Sequence, residues 1–363
     1  MARRIALVLL LASLDCGGNA TPSAKDSSTA VPTRAAATGG VDLTGAGATF
    51  PYPIFSKWFS DYAASTGVKI NYQSIGSGGG IRQLSEQTVD FGASDAPMTD
   101  AEIAKAKGGN VLHFPTVLGA VVVTYNLPEL TAQLRLSGGV LADIFLGKIV
   151  RWNDPRIAAI NPAAPLPARS ILIVHRTDGS GTTFIFSDYL SAISTAWATG
   201  PGRGKDLKWP VGLGGRGNEG VAGAVKQTIG ALGYVELAYA RQNRLPAASL
   251  QNASGAYVTP SVASITAAAA GAATVMGPAS DYRISLVNGA GASAYPVSSF
   301  SWLLVYQHQM DATKGRKLVD FMRWMYGTGQ ESAATLDYAP LPAALAAQLT
   351  ARLATVQFGG GAR

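Results

Sequence analysis

The sequence has few of the residues that usually bind metals or carry redox chemistry. Its 363 residues include one cysteine, Cys16, and three histidines, His113, His175 and His308. A single cysteine excludes an intramolecular disulfide bond, and the histidines lack the spacing of a metal-binding motif. The Gly-x-Ser-x-Gly nucleophile elbow and the Walker Gly-Lys-Ser/Thr sequence are also missing. We therefore expect neither a metal nor a cofactor.

Charge is sparse as well. Charged residues make up 14% of the chain, whereas an ordinary soluble domain has about a quarter. The formal net charge is +7, but lysine and arginine are scattered and form neither a basic run nor a basic stripe with aromatic residues. This pattern argues against nucleic acid as a partner, and it favours an anionic ligand only weakly.

Long apolar runs are missing from the sequence after its N-terminus. No stretch there reaches the ~18 apolar residues that span a bilayer. Arg3 and Arg4 precede a short apolar run at residues 5–14, which is typical of a secretory signal. Residues 17–40 are rich in Gly, Ala, Ser and Thr, as in a flexible tether. We interpret residues 1–40 as signal peptide and tether, and we expect the protein in the periplasm or on the outer face of the cell membrane.

Cys16 has two interpretations. It lies just after the apolar run, where a bacterial lipoprotein carries its lipidated cysteine. Asp15 precedes it, however, and lipidation sites prefer small residues at that position. Cys16 is therefore either a lipid anchor or part of a discarded leader, and the sequence leaves both open.

Short strand–loop–helix units dominate the rest of the chain. A hydrophobic content of 47% and the chain length allow two domains with sizeable cores. Three units come first: strand 41–43 with helix 51–66, strand 68–72 with a short helix ending near 87, and strand 89–93. Such repetition predicts a mostly parallel sheet flanked by helices, with ligands bound at the carboxyl ends of the strands.

A second α/β body follows and then returns to the first. Its predicted elements are strands 117–124 and 171–174, helix 182–190, and helix 219–228 with Asn218 as its N-cap. A final strand 301–306 with helix 314–326 returns to the first body. We place lobe 1 at residues 41–116 plus 298–363 and lobe 2 at residues 117–297. Two linking segments permit a hinge, with a ligand cleft between the lobes.

Residues suited to holding a desolvated oxyanion recur at the strand-to-helix junctions. Helix N-termini offer free N–H groups and partial positive charge, and glycine lets the backbone approach closely. The candidates are the hydroxyls of Thr49, Ser77, Ser180 and Thr182, the N–H of Gly181, and the guanidinium of Arg176. Arginine has the planar fork that suits phosphate.

Asp95 is unexpected in such a site, because a carboxylate repels an anion. It is explained if the ligand still carries a proton at neutral pH, as phosphate does and sulfate does not. Asp95 then accepts a hydrogen bond from that proton. Asp178 is placed to pair with Arg176 and to fix its orientation.

Four segments resemble the periplasmic phosphate-binding proteins of bacterial phosphate ABC importers. They are Leu-Thr-Gly-Ala-Gly-Ala-Thr-Phe-Pro at 43–51, Ile-Gly-Ser-Gly-Gly-Gly at 75–80, Val-Asp-Phe-Gly-Ala-Ser-Asp-Ala-Pro at 89–97, and Arg-Thr-Asp-Gly-Ser-Gly-Thr at 176–182. The glycine-rich segment 212–218 is also similar. The resemblance runs from about residue 41 to about residue 351.

The resemblance implies a fold of two α/β lobes that close around phosphate. It implies that the contacts come from Thr49, Phe50, Ser77, Asp95, Arg176, Ser180, Gly181 and Thr182, with Asp178 as the partner of Arg176. The Phe50 contact is made by its backbone N–H. The protein is then a binding protein rather than an enzyme. It delivers phosphate to the permease subunits of an ABC transporter, and we expect it to be a monomer.

Three other functions remain as alternatives. A binding protein for another oxyanion, such as sulfate or molybdate, is opposed by Asp95. A phosphate-ester hydrolase needs a base beside Ser180, and strand alternation predicts that His175 faces away from Arg176. A nucleotide-binding enzyme is opposed by Phe50, which occupies the position where the dinucleotide fingerprint requires glycine or alanine.

Overall fold

The computed structural model describes residues 42–271 and 277–359. The predicted signal peptide, the tether and Cys16 lie outside these residues. Within the described part, no helix is both long enough and apolar enough to cross a membrane. All four predicted anion-binding segments belong to the described part.

Most strands are short, and the longest, β4, is buried at all 15 of its positions. The strands of the described residues are β1 Leu43–Gly47, β2 Ile70–Ser74, β3 Phe91–Ser94, β4 Val111–Tyr125, β5 Arg135–Leu136, β6 Leu172–Arg176, β7 Leu213–Gly215, β8 Ala231–Glu236, β9 Ser249–Gln251, β10 Tyr257–Val258, β11 Ser298–Tyr306, β12 His308–Gln309 and β13 Gln357–Phe358.

Helices connect the strands and cover the sheet. They are α1 Tyr52–Thr66, α2 Ser77–Ser85, α3 Asp100–Ala104, α4 Gly138–Phe145, α5 Pro155–Ala158, α6 Gly181–Ile193, α7 Thr195–Thr199, α8 Gly217–Gln227, α9 Leu237–Gln242, α10 Val262–Ala270, α11 Ala312–Tyr326 and α12 Ala343–Arg352. Short 3-10 helices lie at Pro278–Ser280, Thr328–Ser332, Ala334–Leu336 and Leu353–Thr355.

The largest sheet of the described residues has eight strands in the order β2-β1-β3-β11-β4-β8-β6-β7. Strand β1 pairs in parallel with β2 and β3, and β6 pairs in parallel with β7 and β8. Strands β11 and β4 lie between these halves and run antiparallel to each other. The mostly parallel halves that the sequence predicts are therefore joined in one mixed sheet.

Strand β4 joins the two halves. It pairs with β11 between Val111 and Ala120, and then with β8 between Val121 and Tyr125. The predicted lobe boundary between residues 116 and 117 falls inside this strand. The division into lobes stays a prediction. At residues 116 and 117 a continuous strand rather than a loose linker passes from one half to the other, and the boundary between residues 297 and 298 falls where β11 begins.

Helix α1 shows how local sequence anchors the first anion loop. Pro51 and Pro53 lie at its start, and Gly67 ends it in the left-handed conformation with φ of 80°. Its buried face carries Ile54, Phe55, Trp58, Phe59 and Tyr62. This apolar face docks the helix on the core, so the short loop that precedes it is held against the end of β1.

Helix α2 differs from the prediction. The sequence predicts a loop at 76–80, whereas a helix begins at Ser77. A Cβ on Gly80 would lie 2.4 Å from the Cα of Gly47, so glycine allows the helix to pack directly on β1. This close approach outweighs the low helix propensity of glycine.

The predicted cap of helix α8 is wrong. Asn218 is expected at the N-cap, but the helix begins at Gly217 and Arg216 occupies that position. The Gly217 N–H donates to Asp178 Oδ1 at 3.0 Å, so a side chain from another segment caps this helix end. Asn218 therefore lies in the first turn, and its buried side chain is free to make other contacts.

Candidate functional site

The predicted residues of the first lobe lie at one edge of the sheet. Thr49 follows β1, Asp95 follows β3, and Ser77 begins α2 after β2. The Gly76 N–H donates to the Gly47 carbonyl at 2.8 Å, which ties the loop after β2 to the end of β1. The Asp95 N–H donates to Ser77 Oγ at 3.2 Å. Parallel strands thus bring together loops that are far apart in the sequence.

The predicted segment of the second lobe lies against this edge. Arg176 ends β6, Ser180 is the N-cap of α6, and Gly181 and Thr182 form its first turn. The Gly181 N–H donates to Ser77 Oγ at 3.1 Å. A Cβ on Gly181 would lie 2.6 Å from Asp95 Oδ2, so the two segments are in direct contact. The predicted side chains are almost completely buried, with exposures between 0% and 3%.

Arg176 is held by a bidentate ion pair with Asp178. Its Nε donates to Asp178 Oδ1 at 2.7 Å, and its Nη2 donates to Asp178 Oδ2. Its Nη1 donates to Thr182 Oγ1 at 3.2 Å. Burial raises the pKa of Asp178, but the hydrogen bond and the charge of Arg176 outweigh burial, so this pKa lies below its ordinary value. Asp178 therefore stays ionised and fixes the plane of the guanidinium.

Asp95 is a buried carboxyl group with a shifted pKa. Its Oδ1 accepts a hydrogen bond from Ser301 Oγ at 2.8 Å, and its Oδ2 lies 3.5 Å from Ser77 Oγ. Burial raises the pKa of Asp95 to about 7, although Ser301, Arg176 and Ser77 each act to lower it. The group can therefore exchange a proton near neutral pH.

The start of α6 supplies positive potential. Ser180 Oγ accepts from the Thr183 N–H at 3.0 Å, so this hydroxyl caps the helix. The Ser180 N–H donates to the Lys205 carbonyl at 2.9 Å, which fixes the cap in place. The Ser180 hydroxyl proton is not used by the capping bond and is available to a ligand at this helix N-terminus.

Two tyrosines hold the loop after β1. Tyr239 donates its hydroxyl to the Thr49 carbonyl, and Tyr338 donates to the Phe50 carbonyl, both at 2.6 Å. The Phe50 ring packs on Gly119, where a Cβ would lie 2.5 Å from the ring. Among the residues that the structure describes, the Phe50 N–H has no hydrogen-bond acceptor. The loop therefore has its carbonyls engaged and one N–H available.

Two residues of the site are not predicted by the sequence. Asn218 Nδ2 donates to Thr49 Oγ1 at 2.7 Å and to Thr182 Oγ1 at 3.1 Å. The segment 212–218 signals Asn218, although its pattern favours a helix cap. Ser301 gives no local signal, because it reaches Asp95 through the pairing of β11 with β3.

The arrangement suits anion binding better than nucleophilic catalysis. The His175 ring stacks on Trp209 with centroids 4.8 Å apart, and its Nδ1 lies 3.0 Å from the Arg176 carbonyl oxygen. Burial lowers the pKa of His175. No group of three or more His, Cys, Asp or Glu residues that could hold a metal ion occurs in 42–271 or 277–359.

Comparisons with known proteins identify the family. Residues 24–328 match the PBP superfamily domain. The chain is 50% identical over 305 residues to the phosphate-binding protein PstS of Pasteurella multocida. This match covers 83% of this chain and 86% of that protein. It is 46% identical over 332 residues to PstS of Xylella fastidiosa, which covers 91% of this chain and 90% of that protein. The chain belongs to the PstS family of phosphate-binding proteins.

The PstS family extends to more distant relatives. PstS of Methanocaldococcus jannaschii is 39% identical over 343 residues, which cover 89% of this chain and 86% of that protein. The resemblance inferred from the four sequence segments is therefore confirmed.

Solved structures share the PstS-type fold. PfluDING, a high affinity periplasmic phosphate-binding protein solved with bound phosphate, has a TM-score of 0.70 at 22% identity, covering 86% of this chain and 93% of that chain. The phosphate-binding protein of Stenotrophomonas maltophilia has a TM-score of 0.64 at 19% identity. The match covers 86% of this chain and 94% of that chain. At these identities the likeness shows the fold, and it confirms the predicted periplasmic-binding-protein class.

Proposed function

We propose that the protein binds inorganic phosphate in a pocket between its two lobes and delivers it to an ABC-type permease for import. The PstS relatives are named phosphate-binding proteins. The observation that carries the proposal is the buried contact between Asp95 and Gly181, beside Arg176 and its hydroxyl neighbours. A cation paired with Asp178, several donors and the Asp95 carboxyl group meet there in the protein interior.

The proposed phosphate shell draws on both lobes. It consists of Thr49, Phe50, Ser77 and Asp95 from lobe 1 and of Arg176, Ser180, Gly181 and Thr182 from lobe 2, with Asp178 orienting Arg176. Their burial and mutual hydrogen bonds support this set. With lobe 1 at 41–116 plus 298–363 and lobe 2 at 117–297, the lobes close on the ligand because each supplies part of the shell.

Asp95 selects an anion that retains a proton. Ionised Asp95 accepts a hydrogen bond from the phosphate hydroxyl. Sulfate, which carries no proton at neutral pH, would place two acceptors opposite each other in a buried site. We therefore propose a preference for phosphate over sulfate.

The role is transport without turnover. The relatives are named for binding and not for a reaction. We propose a monomer that is exported by its signal peptide to the periplasm or the outer face of the cell membrane, with Cys16 either lipidated or removed with the leader. Closure joins surfaces of both lobes, and this joint surface reports occupancy to the permease.

Equilibrium dialysis of phosphate-stripped protein against labelled phosphate tests the proposal. Hydrogen bonds to a charged ligand are worth about 1.5–3 kcal/mol each, so a shell of this size supports a Kd of about 1 μM or tighter. Arg176→Ala should abolish this binding. Arg169→Ala is the control, since Arg169 pairs with Glu129 at the surface. Absence of binding by the unmodified protein, or its release of phosphate from a phosphomonoester, would contradict the proposal.

A further inference from the structure

Asn218 contacts two hydroxyls of the pocket, although the sequence does not predict it as a ligand contact. Its Nδ2 donates to Thr49 Oγ1 and to Thr182 Oγ1, and its backbone N–H donates to Thr49 Oγ1 at 3.2 Å. The side chain is fully buried. One residue therefore bonds a hydroxyl from each proposed lobe.

The orientation of the Asn218 amide is determined by its other contact. Its Oδ1 accepts from the backbone N–H of Glu236 at 2.9 Å. A backbone N–H can only donate, so the oxygen end of the amide must face Glu236. The nitrogen end must then face the two threonines, and it can only donate to them.

These contacts fill the acceptor positions of both threonine hydroxyls. Thr49 Oγ1 accepts from the backbone N–H and the Nδ2 of Asn218. Thr182 Oγ1 accepts from Asn218 Nδ2 and Arg176 Nη1. A hydroxyl has two acceptor lone pairs and one donor proton. Each threonine therefore has only its proton left to offer.

Ser77 shows the same arrangement without an asparagine. Its Oγ accepts from the N–H groups of Asp95 and Gly181, at 3.2 and 3.1 Å. Its proton is directed at Asp95 Oδ2, 3.5 Å away. Thr49 and Thr182 are thus set as donors to an anion, which is the state that an oxyanion requires, whereas Ser77 donates toward the Asp95 carboxyl group.

We propose that Asn218 is a positioning residue that fixes Thr49 and Thr182 as obligatory donors to the anion. The inference rests on the proposed phosphate function and deepens it. A protonated phosphate oxygen finds no acceptor at either threonine, so its proton is directed to Asp95. Asn218 in this way supports the discrimination between phosphate and unprotonated anions.

A mutant cycle read by calorimetric phosphate titration tests the inference. Asn218→Ala should raise the Kd by about tenfold or more, since it frees both hydroxyls to turn away from the charged ligand. If Asn218 acts through the threonines, its removal matters less where one hydroxyl is already missing. In the Thr49→Val and Thr182→Val backgrounds, we expect at most about a third of that fold-change for the same substitution.

Asn161 is a matched control. It is also buried, its Oδ1 accepts from the Arg135 N–H at 2.8 Å, and its Nδ2 donates to the carbonyls of Arg135 and Ile157, both at 2.9 Å. Asn161→Ala should lower the Tm and leave the phosphate Kd unchanged. If Asn218→Ala does not fold, Asn218→Asp repeats the cycle, because it keeps the side-chain size and replaces the donor by an acceptor.

Different outcomes would contradict the role of Asn218 and the proposed phosphate binding. Equal fold-changes for Asn218→Ala in all three backgrounds would overturn the positioning role while phosphate binding stands. A wild-type protein that does not bind phosphate would overturn the proposed function itself. A smaller effect in both valine backgrounds supports the inference.

Discussion

The carboxyl group of Asp95 is buried and lies among hydrogen-bond donors. Ser301 donates to one of its oxygens, Ser77 lies near the other, and the Arg176 charge is close enough to lower its pKa. Burial nevertheless dominates and raises the pKa of Asp95 to about 7. At the scale of single residues, the proposed choice between phosphate and sulfate depends on this one group.

Asp95→Asn should increase sulfate affinity, because the amide can donate to an unprotonated oxygen where the carboxylate cannot. We expect sulfate affinity to rise by about tenfold or more, because a repulsion between two acceptors is replaced by a hydrogen bond to a charged ligand. Phosphate should bind more weakly, because its hydroxyl loses the carboxylate that accepts its proton. Competition of labelled phosphate by sulfate measures the ratio. Asp90→Asn, which removes a carboxylate paired with Lys314, is the control. An unchanged phosphate-to-sulfate ratio in Asp95→Asn would exclude the proton-acceptor role.

Asp95 also gives the ligand-free protein a pH-dependent stability. Folding raises its pKa from the ordinary 3.8 to about 7, so the folded state binds this proton more tightly. Asp95 therefore contributes fully to the free energy of unfolding below about pH 4, and this contribution is lost as the pH rises to about 7. Asp95→Asn does not titrate and should therefore gain stability relative to the wild type, on the order of 3 kcal/mol, between pH 4 and pH 8. Urea unfolding of both proteins at the two pH values measures this; a constant difference would show that Asp95 does not titrate as described.

At the scale of elements, helix α2 meets the segment before α6 backbone to backbone. The Gly78 N–H donates to the Gly179 carbonyl at 2.8 Å. Gly76 has φ of 88°, and a Cβ there would lie 2.3 Å from Asp178 Oδ2. Side chains at these positions would therefore hold the two segments apart and disturb the partner of Arg176.

Gly76→Ala should weaken phosphate binding by about tenfold or more, because it combines backbone strain with a clash across the pocket. Gly109→Ala separates the two causes. Gly109 has nearly the same φ, 87°, but a Cβ there meets nothing within 4 Å. Calorimetry should show an unchanged Kd for Gly109→Ala, and equal losses in both variants would refute the contact argument.

The elements differ in how far the sequence predicts them. Helix α1 is predicted to within one residue, because its apolar face and Gly67 are local signals. Strand β4 is predicted at 117–124 but begins at Val111, since pairing with β11 extends it past Pro115. The start of helix α2 is predicted too late, after Gly80 instead of at Ser77, because its first turn is stabilised by packing on β1 rather than by the propensity of its glycines.

The site residues likewise divide into those that the local strand pattern predicts and those that depend on tertiary contacts. Loops at the ends of parallel strands must converge, so the placement of Thr49, Ser77 and Asp95 follows from the strand pattern. The contacts of Asn218 and Ser301 depend on tertiary pairing between distant segments. No spacing in the sequence could specify them.

At the scale of the whole molecule, ion pairs outside the pocket join the proposed lobes. Lys205 Nζ lies 2.6 Å from Glu102 Oε1, and Arg283 Nη1 lies 2.7 Å from Asp100 Oδ1. Arg283 Nη1 also donates to the Met98 carbonyl at 3.0 Å. In the proposed closure, these contacts form only when the two proposed lobes are together, so we expect them to favour the closed form.

Lys205→Gln should therefore release phosphate faster, by about two- to fivefold, as expected for one partly exposed ion pair. The effect should shrink at high salt, because salt screens the pair. Stopped-flow dissociation at low and high ionic strength measures both. Lys57→Gln removes a pair with Asp61 inside helix α1 and should leave the rate unchanged. An equal rate for Lys205→Gln and wild type at low salt would contradict a closing role.

In the proposed function, one buried pocket formed by both lobes recognises a tetrahedral anion by its remaining proton. Calorimetric titration of phosphate-stripped protein with phosphate and with sulfate, at one pH near neutrality, tests this most directly. We expect a 1:1 phosphate complex with Kd of about 1 μM or tighter, and sulfate binding that is weaker by at least about a hundredfold. Comparable affinity for the two anions, or no phosphate binding, would contradict the account.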